Sequence, residues 1–87
     1  MRPDTPRPAA TPLQADHPIY RWRESQGWTQ NRLARAIGVK QQHVSSWESG
    51  RNLPSLESAY RLIQLSGGTL TIKDFLQGYR HVRGLPT

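Results

Sequence analysis

Few side chains in this sequence are suited to covalent chemistry. There is no cysteine, so neither a thiolate nucleophile nor a thiolate metal site can be built. His17, His43 and His81 are scattered, and no His/carboxylate cluster has ligand spacing, so no metal and no cofactor are expected. No paired-carboxylate motif occurs, and Gly67-Gly68 reads as a helix stop rather than a phosphate cradle. Enzymatic activity is not expected. The sequence offers hydrogen-bonding chemistry instead, concentrated in GVKQQHVSSWESG at residues 38–50. At 100° per residue, Val44, Trp47 and Glu48 share one side of a helix, while Gln42, Ser45, Ser46 and Ser49 lie on the other. Gln41 falls in the first turn, and Lys40 and Arg51 flank the run. The outward face carries amides and hydroxyls but no carboxylate, which suits close approach to a polyanion.

Charge points the same way. The chain has twelve Lys and Arg against six Asp and Glu, a net +6. Residues 1–16 carry two of each sign, so the whole excess lies in residues 17–87. A compact basic domain suits nucleic acid or an anionic membrane surface. The membrane is the poorer fit, because no helix sets a clean basic face opposite a bulky apolar one. No apolar run approaches a membrane span, and MRPDTPRPAATP lacks the apolar core of a signal peptide. A cytoplasmic, nucleoid-associated protein is expected.

The elements that must position these residues are helical. Residues 1–16, rich in proline and poor in large apolar side chains, read as a flexible arm. Ile19, Trp22 and residues 24–26 mark a short first helix, with Pro18 in its first turn and Gly27 at its end. Thr29 caps a second helix, QNRLARAI, whose Leu33, Ala34 and Ile37 share a face and which Gly38 ends. KQQHVSSWES is the third, stopped by Gly50. Ser55 caps a fourth, with Leu56, Ala59, Leu62 and Ile63 as its stripe. Thr71 with Asp74 forms a capping box for a short fifth, IKDFLQG, that buries Ile72, Phe75 and Leu76. GGTLTI and YRHVR alternate enough to allow short strands. The predicted fold is all-α, with five helices. Residues 17–78 form the domain and 79–87 a C-terminal tail.

Two short helices joined by a tight turn need a small residue at their contact, a residue tolerant of positive φ in the turn, and an apolar plug on the second helix. Ala34, Gly38 and Val44 supply these at A-x3-G-x5-V spacing. WTQNRLA precedes them and WESGRNLPS follows. With these motifs, residues 19–76 resemble the Cro/CI-type (XRE-like) helix-turn-helix family of phage, plasmid and bacterial transcription regulators. The arm and the tail lie outside the resemblance.

In this motif the N-terminal end of the third helix enters the major groove. The resemblance places Gln41, Gln42 and Ser46 on base-reading positions, with Ser45 a further candidate. A glutamine amide matches the N6 and N7 groups of adenine. Gln30, at the start of the second helix, falls where family members hold a phosphate. Lys40, Arg51 and Asn52 flank the recognition helix and are candidates for phosphate contacts, as are Arg32 and His43. The resemblance also makes Arg23 and Glu48 a structural ion pair. It puts Trp22, Trp28 and Trp47 at core positions rather than base-stacking ones.

Domains of this family normally bind inverted repeats as two-fold dimers, with half-sites about 34 Å apart or a multiple. The fifth helix and tail hold more apolar residues than one short helix can bury, so Ile72, Phe75, Leu76, Tyr79 and Val82 are the predicted homodimer surface. The implied partner is double-stranded DNA bearing a palindromic operator, and no small-molecule ligand is expected. The implied function is repression by promoter occlusion. The alternative is an antitoxin-type protein-interaction module that also binds DNA for autoregulation.

Overall fold

The structure, a computed structural model, describes residues 15–86. Most of the arm predicted over residues 1–16 lies outside the described residues. Five helices lie wholly within the described residues, in order: α1 Pro18–Ser25, α2 Gln30–Ile37, α3 Gln41–Glu48, α4 Leu56–Leu65 and α5 Ile72–Val82. Among the described residues there is no strand.

Local chemistry sets most of the helix boundaries. Thr29 Oγ1 accepts from Arg32 N at 3.0 Å to start α2, and Gly38 ends it in the left-handed conformation at φ 77°. Ser55 Oγ accepts from Ser58 N at 3.1 Å at the start of α4. At α5, Thr71 Oγ1 accepts from Asp74 N at 3.1 Å and the Asp74 carboxylate accepts from Thr71 N at 3.0 Å. Helix α1 starts differently: Pro18 takes the first turn, and the buried His17 imidazole caps it, Nδ1 accepting from Ile19 N at 3.1 Å. Burial lowers the His17 pKa to about 4, so the ring is neutral and keeps the lone pair this cap needs.

Helix α5 does not stop at Gly78 but continues through Val82, so neither YRHVR nor GGTLTI forms a strand. Gly78 is a packing residue. A Cβ there would lie 2.7 Å from Pro18 Cδ and 2.8 Å from His17 Nε2, so only glycine lets α5 approach the start of α1 this closely. The true stop is Gly84 at φ 75°, with Gly84 N donating to His81 O at 3.0 Å and Leu85 N to Arg80 O at 2.8 Å.

The core comprises Ile19, Leu33, Ala34, Ile37, Val44, Trp47, Ala59, Leu62, Leu70 and Phe75, with Trp22, Trp28, Val39 and Ile63 packed against it. Trp47 is buried, whereas Trp22 and Trp28 sit at the margin, edge to face with centroids 5.6 Å apart. Three residues expected in the interior are outside. Leu56 is 82% exposed, Ile72 53% and Leu76 46%. Ser58, Ala59 and Leu62 set the buried face of α4, which leaves Leu56 on the opposite side. Phe75 and Gly78 likewise turn Ile72 and Leu76 outward.

Candidate nucleic-acid interface

Helix α3 is held by α1, α2 and α5 together. Its junction with α2 is tight because Ala34 is small and fully buried, and because Val39 N donates to Ala34 O at 2.9 Å across the Gly38 turn. Val44, fully buried, plugs the angle between the two helices. This is the geometry of a helix-turn-helix.

The polar face of α3 is tied to the interior by a relay of side chains. Arg23 and Glu48, both 1% exposed, form a two-bonded ion pair, Nε to Oε2 at 2.8 Å and Nη2 to Oε1 at 2.9 Å. Arg23 Nη1 also donates to Trp28 O at 2.8 Å. Burial alone would lower the Arg23 pKa, but the Glu48 carboxylate, helped by Glu24 and Tyr20, outweighs it and raises the pKa. The guanidinium is therefore locked in its charged form. Glu48 Oε1 accepts a further bond from Gln30 Nε2 at 2.9 Å, and Gln30 Oε1 accepts from Gln41 Nε2 at 2.9 Å.

The direction of this relay is forced. A carboxylate only accepts, so Gln30 must turn its amide nitrogen to Glu48 and its oxygen to Gln41. Gln41 must then donate. One Gln41 N–H and its carbonyl oxygen remain for a partner outside the protein, which is the donor and acceptor set that complements adenine N7 and N6.

The other predicted site residues fall in three groups. Gln42 is exposed beside Gln41, and Ser45 and Ser46 are half-buried on the next turn. Lys40, exposed, occupies the position before α3 and provides no side-chain cap. After α3, the chain folds back so that Ser46 O accepts from Arg51 N at 2.9 Å and Asn52 N at 3.4 Å, which sets both exposed residues beside the helix end. Arg32 and His43 are exposed but lean on tryptophans. The Arg32 guanidinium lies 4.8 Å over the Trp28 ring, and the His43 ring stacks on Trp47 with centroids 6.5 Å apart.

Of the predicted dimer residues, Phe75 is a correction. It is 3% exposed, turned into the core, and offers nothing to a second chain. Val82 is half-buried over Gly50, and Tyr79 is half-buried beneath Arg83. Ile72 and Leu76, one helical turn apart, are the pair left exposed.

A family model described as helix-turn-helix matches residues 19–72. The chain belongs to that family. It is an XRE-like helix-turn-helix domain, of a kind that binds DNA and regulates transcription. The chain is also similar to Antitoxin HipB of Escherichia coli O6:H1 (strain CFT073), 31% identical over 64 residues that cover 74% of this chain and 68% of that protein. Antitoxin HipB of Escherichia coli strain K12 is 30% identical over 64 residues, 74% of this chain and 73% of that protein. No solved structure gives a significant match. The family match takes in α1 from Ile19 onward, α2 to α4 whole, and only the first residue of α5.

No sequence pattern marks the Gln30 links to Glu48 and Gln41, the His17 cap, or Arg83 Nη1 donating to Gly50 O at 3.0 Å. The Gln30 and Arg83 contacts join residues that only tertiary packing brings together, whereas the His17 cap is local to Ile19 but uses a residue type outside the usual capping set.

Proposed function

We propose that this domain reads double-stranded DNA as a homodimer on an inverted-repeat operator and represses transcription by occluding a promoter. The observation that carries this reading is the relay ending at Gln41. An exposed amide held by a buried ion pair, with one donor and one acceptor left over, is suited to a base edge and to little else. Gln41, Gln42 and Ser46 read bases in the major groove, and Ser45 supports them. Lys40, Arg51 and Asn52 fix the domain on the phosphates, joined by the exposed Arg32 and His43. Gln30 has its second amide N–H and its backbone N–H left for a phosphate while it holds Gln41.

The dimer reading rests on Ile72 and Leu76, with Tyr79 and Val82 at the margin. Two apolar side chains one turn apart, roughly half exposed on a small domain, suit a two-fold contact in which each stripe meets its own copy. No catalytic chemistry is part of this function. No described helix is long and apolar enough to cross a membrane, and the work proposed is on chromosomal DNA in the cytoplasm.

The test is a footprint on the DNA upstream of the protein's own gene. A discrete, two-fold symmetric protected site supports the reading; protection that shows no sequence preference counts against it.

A second reading is favoured by the names of the two relatives, both antitoxins. In it the domain binds a protein partner and uses DNA binding for autoregulation. A stoichiometric partner that co-purifies with the chain and sharpens its footprint would favour this alternative.

A further inference from the structure

We propose that Arg83, at the end of α5, belongs to the DNA-binding surface and contacts a backbone phosphate next to Arg51. The inference rests on the DNA-binding reading above and extends it to a part of the chain beyond the family match. It starts from Gly50. This residue ends α3 at φ 77°, and a Cβ on it would lie 2.9 Å from Val82 Cγ1 and 3.2 Å from Arg83 Cγ. The last turn of α5 therefore rests directly on the residue that closes the recognition helix.

Arg83 is fixed there from three sides. Its Nη1 donates to Gly50 O at 3.0 Å, and its guanidinium lies 5.0 Å over the Tyr79 ring. Gly84, at φ 75°, stops α5 at once, so Arg83 sits at a defined helix end. Its charge is not neutralised. Arg23 and Arg61 have carboxylate partners, but no carboxylate pairs with Arg83 among the described residues. Only one of its five N–H groups is spent on Gly50. The favourable field at the C-terminal end of α3 accounts for a cation at this place. It leaves the remaining donors unused, beside Arg51 and Asn52 and at the end of the helix proposed to enter the groove. An anchored, exposed guanidinium with free donors is suited to a phosphate oxygen.

The rival is that Arg83 only clamps the end of α3. Salt dependence separates the two. Binding of the full chain is measured by fluorescence anisotropy across a salt series, on the duplex recovered from its footprint and on a random-sequence duplex. If Arg83 meets a phosphate, Arg83→Gln reduces the slope of log K against log salt by about 0.9 per protomer and weakens both duplexes by similar factors. Arg83→Lys keeps the slope, because the charge remains. An unchanged slope in Arg83→Gln, with lowered thermal stability, overturns the proposal. If Arg83→Gln does not fold by circular dichroism, the wild type decides through arginine modification with phenylglyoxal, read by mass spectrometry. Protection of Arg83 by DNA supports the contact, and protection of Arg51 without Arg83 overturns it. Wild-type protein that binds neither duplex would remove the DNA-binding reading itself, and that result is visible before any variant is made.

Discussion

Gln41 donates to Gln30 across the angle between α3 and α2 at 2.9 Å, and Gln30 in turn donates to the buried Glu48 at 2.9 Å. The outermost amide of the recognition helix is thus oriented by a charge in the core. Removing Gln30 frees Gln41 to rotate, and it also takes one hydrogen bond from the buried Glu48 carboxylate. Gln30→Ala is expected to lower discrimination between operator and random duplex several-fold, and to lower the thermal midpoint by less than Glu48→Ala does, since Arg23 still pairs with Glu48. Competition binding and a melting curve on the same sample check this.

The inner end of the relay governs stability. Glu48→Ala leaves Arg23 buried and without its main partner, which costs about 3–5 kcal/mol. That is a large part of what holds so small a domain together. Replacing both residues with apolar ones of similar size is expected to cost less than Glu48→Ala alone, since no charge is then stranded. Urea titrations of the single and double variants measure the difference.

Gly78→Ala reverses the usual rule for helices. Alanine is intrinsically better than glycine in a helix interior by about 1 kcal/mol. Here the added methyl meets Pro18 Cδ at 2.7 Å and the His17 ring at 2.8 Å, and forcing α5 away from α1 costs about 1–3 kcal/mol. A lower melting temperature is expected; a higher one would show that the close approach of α5 to α1 is not needed.

Stability should also depend on pH through His17. Its pKa of about 4 in the folded protein lies below the ordinary value of 6.5, because burial disfavours the charged ring. Between these values the unfolded chain binds the proton and the folded one does not. The contribution is therefore complete above about pH 6.5 and is lost as pH falls toward 4. At pH 5 the loss relative to pH 7 is on the order of 2 kcal/mol. His17→Asn keeps an acceptor for Ile19 N and removes the titration. Its stability should fall less than that of the wild type between pH 7 and pH 5, as followed by urea unfolding.

What the sequence reveals about the fold is mostly what is local. Thr29, Ser55 and the Thr71/Asp74 box act within three residues of themselves, and Gly38 takes its unusual φ for the turn it makes, so each can be read from its neighbours. The length of α5 cannot. Gly78 looks like a stop, and the reason it is not one is His17, sixty-one residues away in the chain and adjacent in space. Leu56, Ile72 and Leu76 have the period of a core, but which apolar residues a small core leaves outside depends on how the helices rotate against one another. The site divides in the same way. The amide and hydroxyl face of α3 is visible as a run without carboxylates. The link from Gln41 to Gln30 joins two polar residues on different helices, and no periodicity marks it.

In the function proposed, Gln41, aimed by Gln30 and backed by Gln42, reads base edges. The most direct measurement compares the affinities of wild type, Gln41→Ala and Gln42→Ala for the footprinted operator and for operators changed at single base pairs. Each substitution is expected to abolish discrimination at one or two positions per half-site, a loss of about 1–3 kcal/mol each, while affinity for random DNA is unchanged. If both variants still separate operator from random DNA as well as the wild type does, the recognition face has been misplaced.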